Sequence, residues 1–130
     1  MAETDINILI VDDEAPHRIL IRRSIAAAFP DAKLLEAENL TMAKQFLENT
    51  EVSLISLDLC IGSESGFDLL SWVRDRSNID SLPVMILSTS QLLQDVERGY
   101  LLGANCYLSK NPDPDINSYQ IQHAVKFLLR

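Results

Sequence analysis

Three observations predict a doubly wound α/β fold, with five parallel strands and helices on both faces. Short, nearly continuous apolar runs recur along the chain, as expected of strands covered on both sides. Stretches with helical spacing lie between them. Each apolar run also stops abruptly at a polar or charged residue. Right-handed crossovers then leave few arrangements besides a parallel sheet between two helical layers.

Taken in order, Ile6 to Val11 is the first strand, followed at once by Asp12-Asp13-Glu14. Pro16 suits the first turn of a helix, which runs to about Phe29 and stops at Pro30-Asp31. Lys33 to Ala37 is a second, weaker strand. Asn39 or Thr41 can cap a helix reaching about Asn49. Val52 to Leu57 is a central strand ending on Asp58, and the loop after it contains Gly62 and Gly66. A helix from Gly66 to about Arg76 carries Phe67, Leu69, Leu70 and Val73 at helical spacing. Pro83 to Leu87 is a fourth strand, ending on Ser88-Thr89-Ser90. A helix from about Gln91 to Leu102 closes at Gly103, a common C-terminal signal. Cys106 to Ser109 is the fifth strand and ends on Lys110. Asn111-Pro112-Asp113-Pro114 breaks the chain before a last helix from about Asp115 to Leu129.

The length of 130 residues suits one domain with a substantial core, spanning 1–130. Hydrophobic residues make up 47%, which argues against disorder, yet no apolar run approaches the ~18 residues of a membrane helix. The start, Met1-Ala2-Glu3-Thr4-Asp5, is acidic where a signal peptide would be basic, so a cytoplasmic location is expected, without membrane insertion. Acidic residues outnumber basic ones 19 to 11, for a net charge of −8, which argues against direct nucleic-acid binding. Cys60 and Cys106 lack metal-ligand spacing and read as free thiols. His17 and His123 fall in helical segments and read as surface or boundary residues, away from the strand ends.

The strand ends carry Asp12-Asp13, Asp58, Ser88-Thr89 and Lys110. In open α/β sheets, ligands sit beyond the carboxyl ends of the strands. Asp58 alone reads more readily as a local turn or helix cap. If the first and third strands are neighbours, however, three carboxylates crowd one pocket. Without a cation at least one pKa should rise. A hard divalent ion with oxygen ligands resolves the conflict, and Mg²⁺ suits it better than a caged Ca²⁺. No glycine-rich loop follows the first strand, which disfavours nucleotide phosphate binding there. A cation, a carboxylate nucleophile and a lysine around one point make a phosphoryl-transfer site.

With these residues in place, the chain resembles the receiver domains of two-component response regulators over nearly its whole length. Ile8-Leu9-Ile10-Val11-Asp12-Asp13-Glu14 is similar to the family's first strand and acidic pair. Asp58 stands at its phosphoacceptor position, Gly66 at its glycine, Ser88 at its switch hydroxyl and Lys110 at its lysine. Tyr107 matches the aromatic that changes rotamer, although a merely packed strand aromatic is the alternative. The resemblance implies a flavodoxin-like sheet of strand order 2-1-3-4-5. It implies Mg²⁺ (or Mn²⁺) held by Asp12, Asp13, Asp58 and the backbone carbonyl of Cys60. It further implies that Asp58 receives a phosphoryl group from a sensor histidine kinase or histidine phosphotransfer protein, with Lys110, Ser88 and the amide of Thr89 holding its oxygens. Two departures stand out. Ile61-Gly62 replace the family's usual Met-Pro, which would loosen that loop, and Asn111 intervenes between Lys110 and Pro112.

Leu92, Val96 and Tyr100 recur at i, i+4 and i+8, which fits either the core stripe of an amphipathic helix or an exposed face. In the family, positions matching Leu93, Val96, Tyr100 and Tyr107 lie on the face of the fourth helix, fifth strand and fifth helix, where a downstream protein or second receiver docks. The expected function is a phosphorylation-controlled signalling switch that is not itself an enzyme, beyond assisting its own aspartyl phosphorylation and dephosphorylation. A receiver-like binding module that no longer uses phosphate and a metal-dependent phosphohydrolase are the rivals.

Overall fold

A computed structural model describes residues 5–130, so Met1 to Thr4, on which the absence of a signal peptide was largely argued, lie outside the described residues. The elements are β1 (Asn7–Val11), α1 (Ala15–Ala28), β2 (Lys33–Ala37), α2 (Leu40–Asn49), β3 (Leu54–Leu57), β4 (Cys60–Ile61), β5 (Glu64–Ser65), α3 (Gly66–Arg74), β6 (Val84–Ser88), α4 (Leu93–Leu101), β7 (Cys106–Ser109) and α5 (Pro114–Leu128). Five parallel strands form the main sheet in the order β2-β1-β3-β6-β7. This is the expected 2-1-3-4-5 arrangement, because β4 and β5 form a separate antiparallel hairpin.

Alternation along the strands divides the core in two. Ile8 and Ile10 join Ile21 and Ile25 of α1, Met85 and Leu87 of β6, and Ile121 and Val125 of α5. Leu9 and Val11 join Ala43 and Leu47 of α2 and Phe67, Leu69, Leu70 and Val73 of α3. Ile8, Leu9 and Ile10 are fully buried, and burying each such side chain contributes about 2 kcal/mol.

Local chemistry fixes the element ends. Asn39 caps α2 by accepting from the amide of Met42, and Asp113 caps α5 by accepting from that of Asp115. The strand predicted from Val52 begins only at Leu54, because Ser53 pairs locally with Asn7: each amide donates to the other residue, Ser53 N to Asn7 O and Asn7 N to Ser53 Oγ. Helix α4 starts at Leu93 rather than Gln91. Ser90 holds the preceding turn, donating its hydroxyl to Asp95 and accepting from the amide of Leu92. The loop after Asp58, expected to be loose, is instead the β4–β5 hairpin. Gly62 supplies a positive φ of 61° at its tip, which a tight two-residue turn requires.

Candidate functional site

The register of the central strands brings the acidic residues together. Val11 lies opposite Leu57, so Asp12 and Asp58 leave the sheet side by side, and the amide of Asp58 donates to the carbonyl of Val11. Ser88 pairs with Ser109, and the amide of Lys110 donates to the carbonyl of Ser88 at 2.7 Å. Asp12, Asp58 and Ser88 are buried, whereas Asp13 and Thr89 are exposed on the rim.

Lys110 is the hub. Its Nζ lies 3.1 Å from Asp12 Oδ2 and 3.1 Å from Asp58 Oδ2, and its side chain is 6% exposed. Asp12 Oδ1 accepts from the amide of Glu14, and its carbonyl accepts from Arg18 Nη1 at 2.7 Å. Asp58 Oδ1 accepts from the amide of Cys60 at 3.4 Å. Asp13 Oδ2 accepts from the amide of Gly62 at 2.8 Å, which ties the hairpin to the site. Glu64 ties the same hairpin to α2 by accepting from the amide of Leu40.

Two carboxylates sharing one ammonium leave a net negative charge. Burial raises the Asp58 pKa above 3.8; Lys110 opposes this and Asp12 adds to it. For Lys110, burial acts downward, but Asp12 and Asp58 outweigh it and raise the pKa above 10.5.

Carboxylate oxygens of Asp12, Asp13 and Asp58 lie within 4.8 Å of one another. An all-oxygen donor set with excess negative charge, open on the Asp13 side, fits a hard cation such as Mg²⁺ or Mn²⁺. Beside it a cleft of about 300 Å³ opens between the hairpin and α4, lined by Cys60, Glu64, Ser88 and Arg98. A larger recess of about 610 Å³ lies near the amino ends of β3 and β6, away from these carboxylates, and includes Glu51, Ser53 and Pro83.

His17 corrects the sequence-based expectation. It is not away from the strand ends: its Nδ1 lies 3.0 Å from Lys110 Nζ and 2.8 Å from Glu14 Oε1. Helix α1 begins so soon after β1 that its first turn folds back over the site. The short spacing from Asp12 to Pro16 carried that signal. Tyr107 packs beside Gly99 and donates its hydroxyl to the carbonyl of Ser90 at 3.0 Å, while its amide donates to the Tyr100 hydroxyl. Leu93 and Tyr100 are exposed, Val96 is intermediate, and buried Gly99 turns to the sheet. The Leu92–Val96–Tyr100 stripe is therefore not the core stripe of α4.

Residues 8–121 match the response regulator receiver domain family. The chain belongs to that family. This receiver domain is 33% identical over 118 residues to response regulator Rre1 of Synechocystis sp., covering 88% of the chain but only 49% of Rre1. It is 29% identical over 120 residues to the two-component response regulator ARR17 of Arabidopsis thaliana, covering 83% and 77% of the two chains. The chain thus spans about half the length of Rre1. Among solved structures, the Mn²⁺-bound form of response regulator Rcp1 superposes with a TM-score of 0.85 at 27% identity, covering 95% of this chain and 94% of that one. The phosphorylated cyanobacterial phytochrome response regulator RcpA gives 0.90 at 22% identity over 97% and 95%, which shows the shared fold. The receiver domain is thus a module of two-component signalling. Among the described residues, no helix is long and apolar enough to cross a membrane.

Proposed function

We propose that this receiver domain is a phosphorylation-controlled switch in which Asp58 is the phosphoacceptor. The observation that carries this is the placement of Lys110 between Asp12 and Asp58 on adjoining strand ends, 3.1 Å from each. An Asp58 carboxylate oxygen attacks phosphorus of a phosphohistidine on a sensor kinase or phosphotransfer protein. A P–O bond forms as the P–N bond breaks, and the imidazole departs with the electron pair. Asp12, Asp13, Asp58 and the Cys60 carbonyl would hold Mg²⁺ or Mn²⁺, which supplies neutralisation of charge on the phosphoryl oxygens. Lys110 then donates to one of those oxygens. The Ser88 hydroxyl, whose oxygen now accepts from the amide of Ser90, is free to donate its proton to another, and the amide of Thr89 to a third.

Drawing Ser88 toward the phosphoryl group pulls on the Ser90 turn, and Tyr107 is bonded to that turn. The exposed Leu93 and Tyr100, with Val96 beside them, form the face that a downstream protein or second receiver reads. We place the domain in the cytoplasm, where its kinase partner would present the phosphohistidine. Incubation with acetyl phosphate and Mg²⁺ should add one phosphoryl mass, absent in Asp58→Asn and after chelation. Equal labelling of Asp58→Asn would overturn the assignment. Steady phosphate release without a mass gain would point to a phosphohydrolase, and no reaction at all to a binding module.

A further inference from the structure

The ammonium of Lys110 has three N–H donors, and three side-chain atoms surround it: Asp12 Oδ2 and Asp58 Oδ2 at 3.1 Å, and His17 Nδ1 at 3.0 Å. The two carboxylates belong to the phosphoacceptor pocket. The imidazole comes from the first turn of α1, on a different element, and has no part in the mechanism above. The same ring nitrogen is 2.8 Å from Glu14 Oε1. One ring nitrogen carries either a lone pair or a proton, so it serves Lys110 or Glu14 but not both.

Burial decides between them. Glu14 is 59% exposed, and water satisfies its carboxylate whenever His17 does not. Lys110 is 6% exposed and, among the described residues, has no fourth acceptor. An ammonium N–H left without a partner there costs the full desolvation penalty. The pairing with Lys110 is therefore the one that Nδ1 serves as an acceptor.

We propose that His17 is a positioning residue for phosphoryl transfer: its Nδ1 holds the third N–H of Lys110 and so aims the ammonium at the oxygens on Asp58. The kinetic part rests on Asp58 being the phosphoacceptor; the geometric part does not. Asn places its Oδ1 where His places Nδ1, so His17→Asn keeps the acceptor, while His17→Leu and His17→Ala remove it.

Two measurements on the full chain test this. In ¹⁵N-lysine-labelled, metal-free protein near neutral pH, the Lys110 ammonium should give a slowly exchanging NMR signal, assigned by its loss in Lys110→Met. That signal should persist in His17→Asn and broaden away in His17→Leu and His17→Ala. The rate of labelling by acetyl phosphate with Mg²⁺ should fall about tenfold in His17→Leu, as for loss of one hydrogen bond to a charged group, and recover in His17→Asn. A folded His17→Leu or His17→Ala that keeps both the signal and the rate would overturn the proposal. So would an unobservable Lys110 signal in the unsubstituted protein, or a His17→Asn no better than His17→Leu. If the unsubstituted protein takes no label, the phosphoacceptor assignment fails, and the ammonium signals still decide the role of His17.

Discussion

Asp58 and Lys110 pull the pH dependence of stability in one direction. Both hold their protons more tightly in the folded chain than in isolation. A carboxyl group of that kind favours the fold while protonated, and its contribution is lost as the pH rises from 3.8 through the raised folded value. The Lys110 contribution is fully present below 10.5 and disappears as the pH rises through its own raised value. Asp58→Asn removes the first of these and leaves Lys110 charged across the acid range. Urea midpoints of Asp58→Asn and the unsubstituted protein should diverge in favour of the variant as the pH climbs above 3.8, and then run parallel. Parallel curves throughout that window would mean that Asp58 is not perturbed as its surroundings require.

Two glycines show how the elements are pressed around the site. A Cβ on Gly66 would meet the carbonyl oxygen of Asp58 at 2.2 Å, and that oxygen belongs to backbone between β3 and the hairpin. Gly66→Ala should therefore cost about 3 kcal/mol or more in chemical denaturation. At Gly99 a Cβ would meet Ile86 Cδ1 at 3.0 Å and the Tyr107 ring at 3.3 Å, both side-chain atoms able to yield. Alanine there gains about 1 kcal/mol in helix propensity, so Gly99→Ala should change stability by less than about 1 kcal/mol. Its mark should instead be a shifted Tyr107 ring signal. An intolerant Gly99→Ala would show that α4 cannot move relative to β6 and β7. The sequence announced Gly66 through its place after Asp58, and β7 residue for residue, because Gly103 and Lys110 bracket a short apolar run. It could not announce the β4–β5 hairpin, whose two-residue strands are too short for any periodicity. The role of His17 is hidden in its helical pattern and legible only in the short spacing from Asp12 to Pro16, which sets the first turn of α1 over the end of β1.

At the scale of the molecule, the two halves of the core come from strict alternation on β1 and β6; the fold class is legible in the near-continuous apolar runs, whereas the strand order comes only from the family resemblance. Strand ends were readable for the same reason: an apolar run that stops on Asp or Lys marks the rim of a parallel sheet. Side-chain exposure on α4 was not, because one stripe of apolar residues fits either a core or a docking face. Leu93 at 71% and Tyr100 at 50% exposure resolve it toward the surface. Leu93→Glu should leave stability within about 0.5 kcal/mol. It should weaken any phosphorylation-dependent association, measured by sedimentation with and without acetyl phosphate. A loss of several kcal/mol would place Leu93 in the core after all.

The crowding of Lys110 has a consequence for the proposed switch. With Asp12 and Asp58 at 3.1 Å and His17 at 3.0 Å around the ammonium, an arriving oxyanion cannot simply be added to its contacts; one of the present partners must let go. The net free energy is then a difference between two similar charge-assisted contacts, each worth about 1.5–3 kcal/mol. Swaps between near-equals are readily reversible, so modest changes around the lysine tilt the balance, and neither arrangement becomes a trap.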